Sequence, residues 1–212
     1  MPSPDKNYWD AFYASSRLTK EASPFAKLCA AEYVSPGKAL FEAGCGNGRD
    51  AVALSGAGAF VTAMDQCEGS ISRLTLEHSG DNRLRFLAGD FLQHAYAAPL
   101  DAFYSRFTLH AIGSGEERSL LGRVREVLSP DGLMLLEFRG RKNELNGLGR
   151  KIPGEENMFE YEGHRRRFID TRELAGRLAG DGMEILMCEE RPGFSPFEGK
   201  DETFSRIIAR AK

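Results

Sequence analysis

The sequence predicts an α/β protein: a seven-stranded mixed sheet, mostly parallel, with helices on both faces and a C-terminal antiparallel β-hairpin. Three observations predict it. Short apolar runs alternate with helix-compatible runs through residues 39–138. A glycine-rich turn joins the first strand-like run to the first helix-like one. Near the C-terminus two strand-like runs follow each other with no helix between them, so they should pair antiparallel. At 212 residues the chain has room for one domain with a full core, and residues 1–212 are expected to form one.

The elements follow in order. Residues 1–37 read as a helical cap carrying an aromatic cluster, Tyr8, Trp9, Phe12 and Tyr13. On a helix Tyr8 and Phe12 share a face at i and i+4. Residues 39–42 read as the first strand and 50–56 as the helix after it. The second strand, 60–64, ends at Asp65, and a helix is expected over 70–78. The third strand, 84–88, runs into Gly89, Asp90 and Phe91. The fourth, 100–104, runs into Ser105, Arg106, Phe107, Thr108, Leu109 and His110. Apolar residues at Leu120, Leu121, Val124, Val127 and Leu128 have helical spacing and place a helix over 115–128. Pro130, Asp131 and Gly132 read as a turn before a fifth strand at 133–138. Residues 139–163 are polar, glycine-rich and basic without a period, and the whole of 139–169 reads as an excursion that covers a site. Asp170, with Glu173 three residues on, reads as the N-cap of a helix over 170–178. Residues 183–189 and 203–209 are the final strand pair.

Bulk properties narrow the function. The net charge is −3, which gives no general electrostatic case for nucleic acid. No apolar run is long enough to span a bilayer, and none follows Met1 as a signal-peptide core would. Cys29, Cys45, Cys67 and Cys188 form no C-x-x-C pair, so no metal site is expected and the thiols are read as reduced, in a cytoplasm.

The densest signal is Glu42, Ala43, Gly44, Cys45, Gly46, Asn47, Gly48, Arg49. Alternate glycines at a strand-to-helix turn let a nucleotide-like ligand lie against bare main chain. A dinucleotide fingerprint would carry glycine where Arg49 stands. Asp65, at the next strand end, is placed to accept hydrogen bonds from ribose hydroxyls, with Gln66 beside it.

The pattern resembles the first motif of class I S-adenosylmethionine (SAM) methyltransferases, E/D-x-G-x-G-x-G, and the resemblance is firmest over residues 39–140. It implies a Rossmann-like fold and SAM as cofactor, with S-adenosylhomocysteine as product. It implies a cofactor site of Glu42, Gly44, Cys45, Gly46, Asn47, Gly48, Arg49, Asp65, Gln66, Gly89, Asp90, Phe91, Ser105 and Arg106, closed over by Tyr8 and Phe12. Asp90 would reach the adenine amino group, with Phe91 on the ring. Residues after the fourth strand would lie between SAM and the acceptor, making His110 a candidate base or acceptor-orienting group and Arg106 its neighbour. Residues 41–49, with Asp50 and Ala51 following, resemble the thiopurine and tellurite-resistance methyltransferase group. Residues 104–112 and 163–170 resemble methyltransferases of bacterial surface-polysaccharide gene clusters.

The basic residues Arg139, His164 and Arg166 suggest a small, anionic acceptor, such as a sugar, a phosphate-bearing molecule or a metabolite hydroxyl, thiol or amine. If 164–169 is extended, His164, Arg166 and Phe168 face one way and Arg165, Arg167 and Ile169 the other. Ser105, Arg106, Phe107 and Thr108 replace the Asn/Asp-Pro-Pro-Tyr motif of DNA-amino methyltransferases, which argues against a nucleic-acid substrate. The expected state is a monomer or homodimer. Two other functions share the fold: a SAM-binding protein without turnover, and aminopropyl transfer, which would favour acidic groups around a polyamine.

Overall fold

The computed structural model describes residues 19–212. Tyr8 and Phe12, and with them the aromatic closure over the cofactor, lie outside the described residues. Helix α1 (Pro24–Glu32) leads into β1 (Ala39–Ala43), α2 (Arg49–Gly56), β2 (Phe60–Asp65), α3 (Glu68–Glu77), β3 (Leu84–Ala88) and β4 (Leu100–Arg106). After a 3₁₀ turn at Leu109–Ala111 come α4 (Ser114–Val127) and β5 (Leu128–Phe138). Three short strands follow, β6 (Arg150–Lys151), β7 (Met158–Tyr161) and β8 (His164–Arg167). The chain ends with α5 (Thr171–Gly180), β9 (Met183–Arg191) and β10 (Phe204–Ala211).

The seven-stranded sheet has the order β3-β2-β1-β4-β5-β10-β9. β1 pairs in parallel with both β2 and β4, and β10 pairs antiparallel with both β5 and β9. Alternate residues of the central strands point to opposite faces, and both faces are covered. Phe41, Phe103, Leu136 and Ile207 enter the core that holds Leu120, Val124 and Leu174 of α4 and α5. Their neighbours Leu40, Tyr104, Leu135 and Ile208 enter the other core, with Phe25, Leu54 and Ile71 of α1, α2 and α3. A strand buried on both faces reads as an unbroken apolar run, as these do. The strand order turns back between β1 and β4, which opens a crevice at their carboxyl ends.

Three buried polar knots position what surrounds that crevice. Asp50, at the start of α2, accepts hydrogen bonds from Ser23 N, Ser23 Oγ and Tyr104 OH, each at 2.8 Å. Ser23 Oγ in turn caps α1 at Ala26 N, and Phe25 stacks on Tyr104 at 5.3 Å. The described part of the expected 1–37 cap is therefore a helix built into the core. In the second knot Glu137, fully buried, accepts from Arg106 Nε at 2.8 Å, Arg206 Nε at 2.7 Å and Ser195 Oγ at 3.1 Å. This ties the β9–β10 loop to the sheet. In the third, Glu117 of α4, also fully buried, accepts from Arg167 and Arg177. Arg167 additionally donates to the carbonyls of Leu109 and Ile112.

Several boundaries differ from the sequence reading, each for a physical reason. Ser105 and Arg106 are the last residues of β4, because Phe107 at φ 64° makes the turn. Pro130, Asp131 and Gly132 lie inside a bulged β5, where the pairing with β4 shifts between Leu100 and Ala102. The excursion after β5 holds a second sheet, β6-β7-β8, antiparallel throughout. Within β8 burial does not alternate: His164 and Arg167 are buried while Arg165 and Arg166 are half-buried. Arg167 turns inward because Glu117 draws it there. The expected N-cap holds, with Asp170 accepting from Arg172 N and Glu173 N at 3.0 Å each.

Candidate functional site

The glycine turn after β1 is held open by the backbone it meets. Gly44 N and Cys45 N donate to Met64 O at 2.8 and 3.0 Å. Gly44 has φ 70°, and a Cβ there would overlap the Thr108 side chain. Gly48, at φ 74°, precedes the first turn of α2, where a Cβ would sit 2.9 Å from Leu74 and 3.0 Å from Phe86. Both positions need glycine for conformation and for space. Gly46 N donates to Asp65 Oδ2 at 2.8 Å, and Cys67 N to Asp65 Oδ1 at 2.9 Å. The carboxylate at the end of β2 is thus fixed against the turn.

A cavity of about 1680 Å³ opens here, between the carboxyl ends of the strands and the small sheet. Pockets for one drug-sized ligand are roughly 300–1,000 Å³, so this cavity has the volume for a cofactor and a small second ligand. The turns after β1, β2 and β3, called its inner end, contribute Glu42, Gly44, Cys45, Asn47, Arg49, Asp65, Gln66, Gly89, Asp90 and Phe91 to the lining. The ends of β4 and β5, the 3₁₀ turn and β8, called its outer end, contribute Arg106, His110, Arg139, His164 and Arg166. The structure therefore brings together most of the residues singled out in the sequence. Gly46 and Gly48 shape the turn from behind. Ser105 is fully buried, hydrogen-bonded to Thr108, and does not reach the cavity.

The electrostatics of the two ends differ. Glu42 is buried, and its Oε2 has no hydrogen-bond partner among the described residues. Burial, reinforced by Asp50 and Asp65, pushes its carboxyl well above the usual range. A buried carboxylate oxygen without a donor is costly unless a ligand supplies one. At the other end burial, with Arg139, His164, Arg166 and Arg167 nearby, holds His110 well below the usual imidazole value. Burial, Arg166 and Arg139 bring His164 down to about 3. Both histidines are neutral at pH 7.

Arg106 is heavily committed. Its Nε bonds Glu137, one Nη bonds Ser195 Oγ at 2.8 Å, and its guanidinium lies 4.0 Å from the Phe107 ring centre. Phe107 stacks on Phe204 at 4.7 Å, and Arg139 lies 4.8 Å from the Phe204 ring centre. Arg106, Phe107, Phe204 and Arg139 all line the cavity. The sequence reading missed Phe204, the lining residues Leu145, Ile152, Met158 and Tyr161 of the excursion, and Thr19 and Glu21 over the glycine turn. It also missed Pro196 and Phe197 at the tip of the β9–β10 loop. The run Phe194, Ser195, Pro196, Phe197 was a signal, since an apolar hairpin tip has little reason to face water.

Residues 40–132 match the family described as a methyltransferase domain. Among solved structures, the chain is similar to 1,6-didemethyltoxoflavin-N1-methyltransferase of Burkholderia thailandensis, solved with 1,6-didemethyltoxoflavin and S-adenosylhomocysteine. The two are 21% identical with a TM-score of 0.68, covering 89% of this chain and 77% of the other. It is similar to the glycopeptide N-methyltransferase MtfA at 20% identity and TM-score 0.69, over 91% of this chain and 97% of that one. It is also similar to the cyclase SpnF at 16% identity and TM-score 0.68, over 92% and 84%. These likenesses establish the fold. No curated protein matches the sequence.

Proposed function

We propose that this chain, whose residues 40–132 match a methyltransferase domain, binds SAM at the inner end of the cavity and methylates a small acceptor at the outer end. One observation carries the reading. The orphaned Oε2 of Glu42 sits beside a glycine turn that leaves main chain bare, with Asp65 and Asp90 further along the same wall. That set of acceptors fits an amino-acid ammonium, a ribose and an adenine in succession. Gly44, Cys45 and Asn47 would hold the amino-acid end near Glu42, Asp65 and Gln66 the ribose, and Asp90 and Phe91 the base.

When bound, SAM supplies a methyl group already activated on a cationic sulfur. The chain's own residues align the acceptor with it and exclude water, and alignment alone is worth roughly 7–11 kcal/mol. Arg139, Arg165 and Arg166 favour an anionic acceptor, and they share the lining with Glu116, Glu155, Glu162, Glu198 and Glu202. The likeness to a toxoflavin-precursor methyltransferase agrees with a small-molecule acceptor. The likeness to a cyclase means that the fold alone does not prove methyl transfer.

Calorimetry with SAM and S-adenosylhomocysteine tests the first half: micromolar binding is expected, weakened at least tenfold in Asp65→Ala. No binding of either compound at high micromolar concentration would sink it. Release of S-adenosylhomocysteine in the presence of an acceptor panel tests the second half and separates an enzyme from a silent binder.

A further inference from the structure

His110 was considered above as a base, yet its hydrogen bonding points the other way. The backbone N–H of Arg139, just past β5, donates to His110 Nδ1 at 3.3 Å. A backbone N–H can only donate, so Nδ1 is the unprotonated nitrogen and the ring proton sits on Nε2. His110 lines the cavity, and Nε2–H is the polar atom it has left to offer there. A base at this position would have to accept a proton on a nitrogen that already carries one.

The surroundings oppose a proton as well. Arg139 faces His110 from the end of β5, and His164, Arg166 and Arg167 face it from β8. Arg139, which lines the cavity, is itself held by Asn143 and Glu202 through one Nη. Arg165 and Arg166 line the same end. Glu116, Glu155, Glu162, Glu198 and Glu202 line the cavity too, but the charged groups packed around His110 itself are cationic, and a neutral N–H donor among them stabilises negative charge on whatever approaches it.

Resting on the reading of a SAM site given above, we propose that His110 is a neutral Nε2–H donor which, with Arg139 and Arg166, holds the acceptor's reacting atom as an anion. The substrate class is then an acidic nucleophile, a carboxylate, an ionised phenol or enol, or a thiolate, which arrives without its proton. The reacting atom's lone pair forms the bond to the methyl carbon, and the pair of the breaking carbon–sulfur bond returns to sulfur. No proton has to be taken up by the protein. Amines and aliphatic alcohols, which must shed a proton during or after attack, are poor substrates on this view.

The experiment uses the full chain loaded with S-adenosylhomocysteine, titrated with matched probes: 4-hydroxybenzoate, benzoate and thiosalicylate against benzyl alcohol and benzylamine. The acids are expected to bind at least tenfold more tightly. His110→Leu should lower acid binding at least tenfold, while His110→Gln, whose amide can donate from about the same place, should restore most of it. Equal binding of acids and neutral or cationic counterparts would overturn the proposal. In the SAM-driven assay, turnover should be confined to acids. Its kcat/KM should follow the acceptor's own ionisation, with the same pH profile in wild type and His110→Gln. Methylation of benzylamine or benzyl alcohol, with a rising limb near neutral pH that His110→Gln removes, would also overturn it. Failure to bind S-adenosylhomocysteine at all would be a failure of the cofactor reading, and the first titration reveals that separately.

Discussion

At the scale of single residues, Glu42 shows how a site stores instability for a ligand to relieve. Its folded pKa is raised by burial and by the neighbouring carboxylates Asp50 and Asp65. The sign follows from linkage. The group costs nothing below the ordinary glutamate value, and the cost is complete above its raised folded value. The empty protein therefore carries a growing share of the penalty as the pH rises above the ordinary glutamate value. Glu42→Gln should make the unliganded protein more stable, by about 1 kcal/mol or roughly 2–4 °C in Tm. The same change should weaken SAM and S-adenosylhomocysteine alike by about tenfold or more, since a charge-assisted hydrogen bond is worth roughly 1.5–3 kcal/mol. Calorimetry and thermal melts at one pH check both signs. A variant that loses both stability and affinity would show that the carboxylate is structural. Glu42, Asp65 and Asp90 were legible in the sequence because each closes a strand, and strand ends are set by local rules. The commitment of Arg106 was not, because its partner Glu137 is 31 residues away.

At the scale of elements, the small sheet is held over the site by Arg167. The residue is buried, and it joins β8 to Glu117 of α4 at 2.6 Å and to the carbonyls of Leu109 and Ile112 at 3.3 and 3.1 Å. Those two carbonyls flank the 3₁₀ turn that carries His110. Arg167→Met should cost about 3–5 kcal/mol, because it leaves a buried carboxylate short of a partner. Arg150 makes a comparable ion pair to Glu160 but is 71% exposed. Arg150→Ala should therefore change stability by less than about 0.5 kcal/mol. Urea midpoints of the two variants test the contrast, and equal effects would mean that burial is not what matters. The five parallel strands, their intervening helices and the final strand pair were readable because the strands hold apolar runs between turn and cap signals. β6, β7 and β8 were not, since they are two to four residues long and rich in charge. A period of two has no room to show itself in such strands. Arg167 was read on the opposite face from His164, and only Glu117, 50 residues earlier, accounts for its burial.

At the scale of the whole molecule, the charge is unevenly spread about one cavity. The turns after β1, β2 and β3 set Glu42, Asp65 and Asp90 beside Arg49, while His110, Arg139, His164, Arg165 and Arg166 share the other side of the lining with Glu116, Glu155, Glu162, Glu198 and Glu202. The positive SAM suits the first group, and an acidic acceptor suits the cations packed around His110 itself, Arg139, Arg166 and Arg167. The same arrangement makes stability depend on pH. His110 and His164 are held below the ordinary imidazole value, His164 to about 3. The unfolded chain therefore takes up their protons first, near the ordinary value of about 6.5. Stability is fully present above that pH and is lost as the pH falls, at up to about 1.4 kcal/mol per unit for each histidine. For His164 the loss continues down to about pH 3. Denaturation midpoints between pH 7.5 and 4.5 should fall steeply in the wild type. They should fall less steeply in His164→Gln, and less again when His110→Gln is added, with carboxylate titration common to all three. Parallel slopes in the three proteins would mean that both imidazoles accept protons in the fold. His110 would then be free to act as a base, and the case for an acceptor that arrives as an anion would lose its physical ground.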